Sequence, residues 1–164
     1  MSNARKLILI TGGTGFIGNH TISQFLSNGY RVRATDTRDW FLSIHSKHRD
    51  SLETLIVADI TKPGAFDTAV KDVDGIVHMA SQFTYKITDN EKDSIIPAMN
   101  GTKGILQSTV SFAPKFKRVV LTSSFASIAD FSKGLRPGHV YEESQWSSLT
   151  YQATKDDKRG LAYA

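Results

Sequence analysis

Four glycines fall within nine positions in the stretch Ile10-Thr-Gly-Gly-Thr-Gly-Phe-Ile-Gly18. The apolar run Leu7–Ile10 precedes it and the amphipathic segment Phe16–Asn28 follows, with Ile22, Phe25 and Leu26 on one face and Gly29 as a stop. A buried strand, a turn of maximal backbone freedom and a helix in that order admit few folds. The spacing Gly12-x-x-Gly15-x-x-Gly18, which is also G-x-G-x-x-G when read from Gly13, has a physical purpose. The first glycines permit a tight turn with positive φ. Gly15 lacks a Cβ, so a pyrophosphate can come close to the backbone. Gly18 lets the helix pack tightly, and the free N–H groups at the helix start attract anions.

The rest of the chain repeats the alternation. Strands are expected over Lys6–Thr11, Tyr30–Asp36, Glu53–Ala58, Gly75–Met79 and Arg118–Thr122. Helices are expected over Phe16–Asn28, from Pro63 to about Val70, and over Glu91–Phe112, the last interrupted by Pro97 and two glycines. Trp40–Ser51 reads as a short helix or a loop, and Ser127–Arg159 as a polar surface excursion. Short, almost wholly apolar strands separated by helices predict an α/β fold, a doubly wound parallel sheet of the Rossmann type covered on both faces. Sites in such sheets lie beyond the C-terminal strand ends, at the switch in strand order.

That rule selects the candidate dinucleotide contacts: Gly12, Gly13, Thr14, Gly15, Phe16, Ile17 and Gly18 in the loop, Asp36 and Arg38 after the second strand, Asp59 and Ile60 after the third, Met79, Ala80 and Ser81 after the fourth, and Thr122 after the fifth. Asp36 stands about 20 residues beyond the loop, where a carboxylate binds ribose hydroxyls. Its charge repels a 2′-phosphate and favours NAD over NADP, whereas Arg33 and Arg38 are near enough in sequence to reverse that preference in part.

Charge and composition narrow the partners. The 164 residues carry a formal charge of +4, with the basic side chains scattered, which suits a phosphate-bearing small molecule better than a nucleic acid. There are no cysteines, so disulfides and thiolate metal sites are excluded and a reducing, cytoplasmic setting is expected. No apolar run approaches the roughly 20 residues that span a bilayer, and neither a signal peptide nor a membrane partner is expected. His45-x-x-His48 has a metal-ligand spacing but no third ligand, and reads as a solvated loop. His78 ends a buried strand and reads as a packed residue.

The loop "TGGTGFIG", followed in order by "VADI", "GIVHMAS", "NGTKGIL" and "RVVLTSS", resembles the extended short-chain dehydrogenase/reductase family, also called the NAD-dependent epimerase/dehydratase family. Within it, "LTSSFASI", "YEESQW" and "AYA" are most similar to the dihydroflavonol-reductase and aldehyde/ketone-reductase branch. Sugar-nucleotide epimerases and dehydratases usually carry Val-Tyr-Gly where this chain has Ser127-Ile128-Ala129. The resemblance implies hydride transfer between NAD or NADP and a small carbonyl or alcohol substrate, served by a serine, a tyrosine and a lysine, the last two spaced Y-x-x-x-K. Ser124 matches the serine, with Ser123 its weaker neighbour. Tyr163 matches the tyrosine, with Tyr151 as competitor.

Hydride transfer builds negative charge on the carbonyl oxygen. A hydroxyl donor stabilises it and an acid completes it. Asn100, in "NGTKG", matches a helix asparagine that supports the tyrosine and lysine, and Phe83, Phe125 and Trp146 are either substrate-mouth or core residues. The matching lysine would fall beyond Ala164. Residues 1–164 are therefore expected to be the N-terminal cofactor half of a longer, two-lobe protein, cut inside the catalytic helix. Such a piece is expected to bind dinucleotide without turnover and to self-associate through uncovered apolar surface. A non-catalytic dinucleotide-binding module remains the rival from another class.

Overall fold

The computed structural model describes residues 5–35, 39–82, 86–129, 133–134 and 136–157. Five parallel strands form one sheet: β1 (Leu7–Thr11), β2 (Arg31–Thr35), β3 (Leu52–Leu55), β4 (Gly75–His78) and β5 (Arg118–Leu121), in the spatial order β3-β2-β1-β4-β5. The chain winds outward from β1 through β2 to β3, then returns to the other side of β1 as β4. The strand order therefore reverses between β1 and β4, with Thr11 in register with His78.

The period-2 geometry of a strand explains the run Leu7-Ile-Leu-Ile10. Leu7 and Leu9 face one layer and Ile8 and Ile10 the other, and all four are buried. On the first face they meet Phe66, Val70, Val73 and Ile105. On the second they meet Ile22 and Leu26 of helix α1 (Phe16–Ser27) and Phe41 of the short helix α2 (Asp39–Ile44). Two buried faces require apolar residues at successive positions, which is why the run does not alternate with polar ones.

Several expected elements differ in detail. Residues 62–72 form hydrogen-bonded turns rather than a helix. Gly64 adopts φ +74°, which breaks a helix one residue after its expected start at Pro63, yet Phe66, Ala69 and Val70 are still buried. The third strand stops at Leu55, which is in register with Thr35. Trp40–Ser51, left open by the sequence, holds α2 and a 3-10 turn over Ser46–Ser51. The long helix α3 (Ile96–Phe112) is continuous through Gly101 and Gly104. A Cβ on Gly101 would lie 3.4 Å from Ile60 Cδ1, an ordinary van der Waals contact, so these glycines neither break the helix nor are demanded by its packing on Ile60. A π turn, Glu91–Ile95, precedes α3, with the Ile96 amide reaching back to Glu91 O. Pro97 follows directly; it has no N–H to donate and its ring would crowd the carbonyl four residues back, so a widened turn relieves both.

The chain divides into two compact units, residues 1–82 with 100–122, and residues 83–99 with 123–164. The first holds the sheet. The second is mostly irregular, with a 3-10 turn at Phe125–Ser127 and helix α4 (Tyr151–Lys155).

Candidate functional site

At the C-terminal ends of the first unit's strands lies a cleft of about 710 Å³, lined by Gly12, Thr14, Gly15, Thr35, Val57, Ala58, Asp59, Ile60, Met79, Ala80, Ser81 and Gln82. That volume lies within the usual range for small-molecule and cofactor sites. The glycine loop forms one wall. Gly12 adopts φ +69°, and a Cβ there would stand 3.0 Å from the Ala80 amide nitrogen, so both conformation and space demand glycine. A Cβ on Gly18 would sit 2.1 Å from Gly12 O, so this glycine lets α1 pack on the loop's own backbone. Gly15 is the α1 N-cap in extended conformation, with no side-chain cap. The first intrahelical bond runs from Asn19 N to Gly15 O at 2.9 Å, so the amides of Phe16, Ile17 and Gly18 precede the ladder. No acidic residue occupies the first turn, and the positive end of the helix is uncompensated.

Thr11 organises the floor. Its Oγ1 accepts the amides of Met79 and Ala80, each at 3.1 Å, and lies 2.8 Å from His78 Nδ1. With both acceptor positions filled, the hydroxyl proton goes to Nδ1, which makes His78 the neutral Nε2–H tautomer. Burial pushes the His78 pKa down to about 4. The ring packs edge-on against Phe66. His78 is thus a packed residue, as expected, whose Nδ1 orients the Thr11 hydroxyl that holds the two cleft-lining amides. Asp59 Oδ1 accepts the amide and hydroxyl of Thr61 at 2.9 and 2.6 Å, and these bonds hold its carboxyl below the usual range.

Of the expected contacts, Gly12, Thr14, Gly15, Asp59, Ile60, Met79, Ala80 and Ser81 line this cleft. Gly13 and Gly18 are buried in the loop and do not line it, whereas Phe16 and Ile17 are exposed at the helix start. Thr122 lies just past β5, its amide bonded to His78 O. Asp36, Arg38, Phe83 and Tyr163 lie outside the described residues. Thr35, Val57, Ala58 and Gln82 also line the cleft although the strand-end reading passes over them; Thr35, Ala58 and Gln82 each adjoin an expected contact, and Val57 lies two residues before Asp59. Arg33 is already engaged. Its Nε donates to Glu53 Oε1 at 2.8 Å, and its Nη1 to the carbonyls of Ala69 and Lys71 at 2.8 and 2.6 Å. His45 is not solvated either: it is buried, packs edge-on against Phe41, and its Nε2 donates to Asn19 Oδ1 at 2.7 Å. Among the described residues no group of three or more His, Asp or Glu could hold a metal. No helix among them is long and apolar enough to cross a membrane.

In the second unit, Ser124 caps the 3-10 turn, with its Oγ accepting the Ala126 amide and Ser123 Oγ donating to Ser127 Oγ. Asn100 is an exposed α3 residue. Tyr151 and Lys155 themselves have the Y-x-x-x-K spacing, a signal that reading Tyr151 alone passes over. Their geometry points away from acid catalysis. Tyr151 Oη donates to Glu91 Oε1 at 2.6 Å and Lys155 Nζ pairs with Glu91 Oε2 at 2.8 Å. The Glu91 carboxylate pushes the Tyr151 pKa up, opposite to what a proton donor at neutral pH requires.

A glycine loop, an uncapped helix start and a strand-order reversal at one cleft define a Rossmann-type domain. The chain belongs to the 3-beta hydroxysteroid dehydrogenase/isomerase family, which matches residues 9–160. It is 39% identical over 168 residues to ketoreductase azaE of Aspergillus niger, covering 93% of this chain and 46% of that protein. It is 34% identical over 153 residues to dihydroflavonol 4-reductase of Gerbera hybrida, covering 90% and 41%. The crystal structure of yeast methylglyoxal/isovaleraldehyde reductase Gre2 complexed with NADPH superimposes with a TM-score of 0.83 at 32% identity, covering 95% of this chain and 48% of that one. The chain spans about half the length of the curated relatives it matches.

Proposed function

We propose that this chain is the dinucleotide-binding portion of an NADPH-dependent reductase that acts on a small aldehyde or ketone. The observation that carries the proposal is the cleft at the strand-order reversal, with the uncapped α1 N-terminus and Gly15 on one wall and Asp59–Ile60 and Met79–Gln82 on the others. Those amides and the side-chain-free backbone of Gly15 at the cleft wall suit a pyrophosphate. The apolar Val57, Ala58 and Ile60 suit a purine. The ketoreductase and dihydroflavonol reductase relatives support the carbonyl class of substrate, and the NADPH-bound reductase supports the phosphorylated dinucleotide. With Arg33 engaged by Glu53 and two carbonyls, Arg38 is the remaining arginine candidate for a 2′-phosphate, working against the charge of Asp36.

The bound dinucleotide supplies the hydride. The chain's own contribution is to hold it at the loop, to donate a hydrogen bond from Ser124 to the developing oxyanion, and to deliver a proton from Tyr163. Calorimetric titration with NADPH and NADH tests the reading. Gly15→Val puts a Cβ 3.2 Å from Gly12 O and a branched side chain at the cleft wall, and should abolish binding while the circular dichroism spectrum is retained. Arg38→Ala should weaken NADPH selectively, and Asp36→Ala should strengthen it. Undiminished binding by Gly15→Val, or tighter binding of NADH than NADPH by the unaltered chain, would overturn the corresponding part.

A further inference from the structure

His45 and Asn19 belong to different helical segments, 26 residues apart in sequence, yet share a 2.7 Å hydrogen bond. Asn19 is the first residue of α1 whose amide enters the helical ladder, on Gly15 O, and Gly15 is the loop residue open to the cleft. His45 directly follows α2, the helix that begins at Asp39, just after the Asp36–Arg38 connection. Nothing about dinucleotide chemistry calls for a histidine here, and the bond lies outside the cleft lining. It nevertheless joins α1, which starts at the glycine loop, to the segment that ends α2.

We infer that His45 is a positioning residue for dinucleotide binding, acting through Asn19 to fix the first turn of α1 against the α2 segment. The inference rests on the proposed placement of the dinucleotide at the glycine loop. Asn19 Oδ1 can only accept, so Nε2 carries the proton. The ring's apolar surface is separately engaged by the Phe41 ring, at a centroid distance of 4.9 Å and an interplanar angle of 66°. His45 therefore has two separable functions: the Nε2–H bond aligns the loop, and the ring fills the core beside Phe41. Without the bond, the loop samples arrangements that bind no pyrophosphate, and apparent affinity falls with the competent fraction. One neutral bond limits that loss to about fivefold.

Two substitutions separate the functions. His45→Gln places an amide N–H where Nε2 was but loses the ring, whereas His45→Phe keeps a ring and loses the donor. NADPH affinity measured by calorimetry at pH 7.5 on the 164-residue chain should be within about twofold of the unaltered chain for His45→Gln and about fivefold weaker for His45→Phe. Thermal stability should rank in the opposite sense, with His45→Phe the more stable of the two. This crossed pattern is what a purely structural histidine would not give. Equal affinity for the two variants, or affinity that follows stability, overturns the inference. Failure of the unaltered chain to bind NADPH overturns the placement of the dinucleotide instead.

Discussion

Replacing Thr11 with valine keeps the shape of a fully buried side chain and deletes one oxygen. Three neighbours lose a partner together: the Met79 and Ala80 amides at 3.1 Å, and His78 Nδ1 at 2.8 Å. Each net hydrogen bond is worth about 1 kcal/mol, and each buried group left unsatisfied costs about 1–3 kcal/mol. The three share one oxygen, so their costs are not independent, and we expect a total of about 3 kcal/mol. A chain of this size should then lose roughly 6–12 °C in Tm, at about 2–4 °C per kcal/mol. Thr11→Ser keeps the oxygen and loses a methyl group, for about 1 kcal/mol. The measurement is urea denaturation at pH 7.5, with thermal melts alongside. A loss below about 1 kcal/mol for Thr11→Val, or a greater loss for Thr11→Ser than for Thr11→Val, would refute the assignment of Thr11 as the shared hydrogen-bonding centre.

The pH dependence of stability follows from His78. Its pKa is about 4 in the folded chain against 6.5 unfolded, so between these values the unfolded state binds the extra proton. Stability is full above pH 6.5 and falls as pH drops toward 4, by up to about 3 kcal/mol from this residue. His78→Asn should flatten that part of the profile in urea melts at pH 4.5, 5.5 and 7, and an unchanged slope would contradict it. Gly18→Ala should destabilise severely, because its Cβ would stand 2.1 Å from Gly12 O; a melt within a few degrees of the unaltered chain would show that the loop can yield. In a protein carrying these residues at the length of the relatives, Tyr163→Phe should lower kcat by orders of magnitude with dinucleotide affinity intact. Ser124→Ala should lower it on the order of 10²-fold. Near-normal turnover by Tyr163→Phe would move the proton donor elsewhere.

The glycine loop, the buried strands and the α/β alternation are set by the sequence itself, because each depends on local causes: backbone freedom at glycine, period-2 burial and helical amphipathicity. Those features also located the wall of the cleft at Gly12, Thr14 and Gly15, and the strand-end rule added Asp59–Ile60 and Met79–Ser81. Partnerships between distant segments were decided only by the tertiary structure. Arg33 looks like a free cation beside the second strand until Glu53 and the Ala69 and Lys71 carbonyls come within 2.8 Å of it. His45 looks solvated until Phe41 and Asn19 close around it. Thr11 reads as the first residue of a motif, but its role depends on β4 lying in register beside β1. Tyr151 and Lys155 have the spacing of a catalytic pair, and Glu91, 60 residues away from Tyr151, binds both. A side chain's charge and hydrogen-bonding capacity are written in the sequence, but what satisfies them is a matter of which segments the fold brings within about 3 Å.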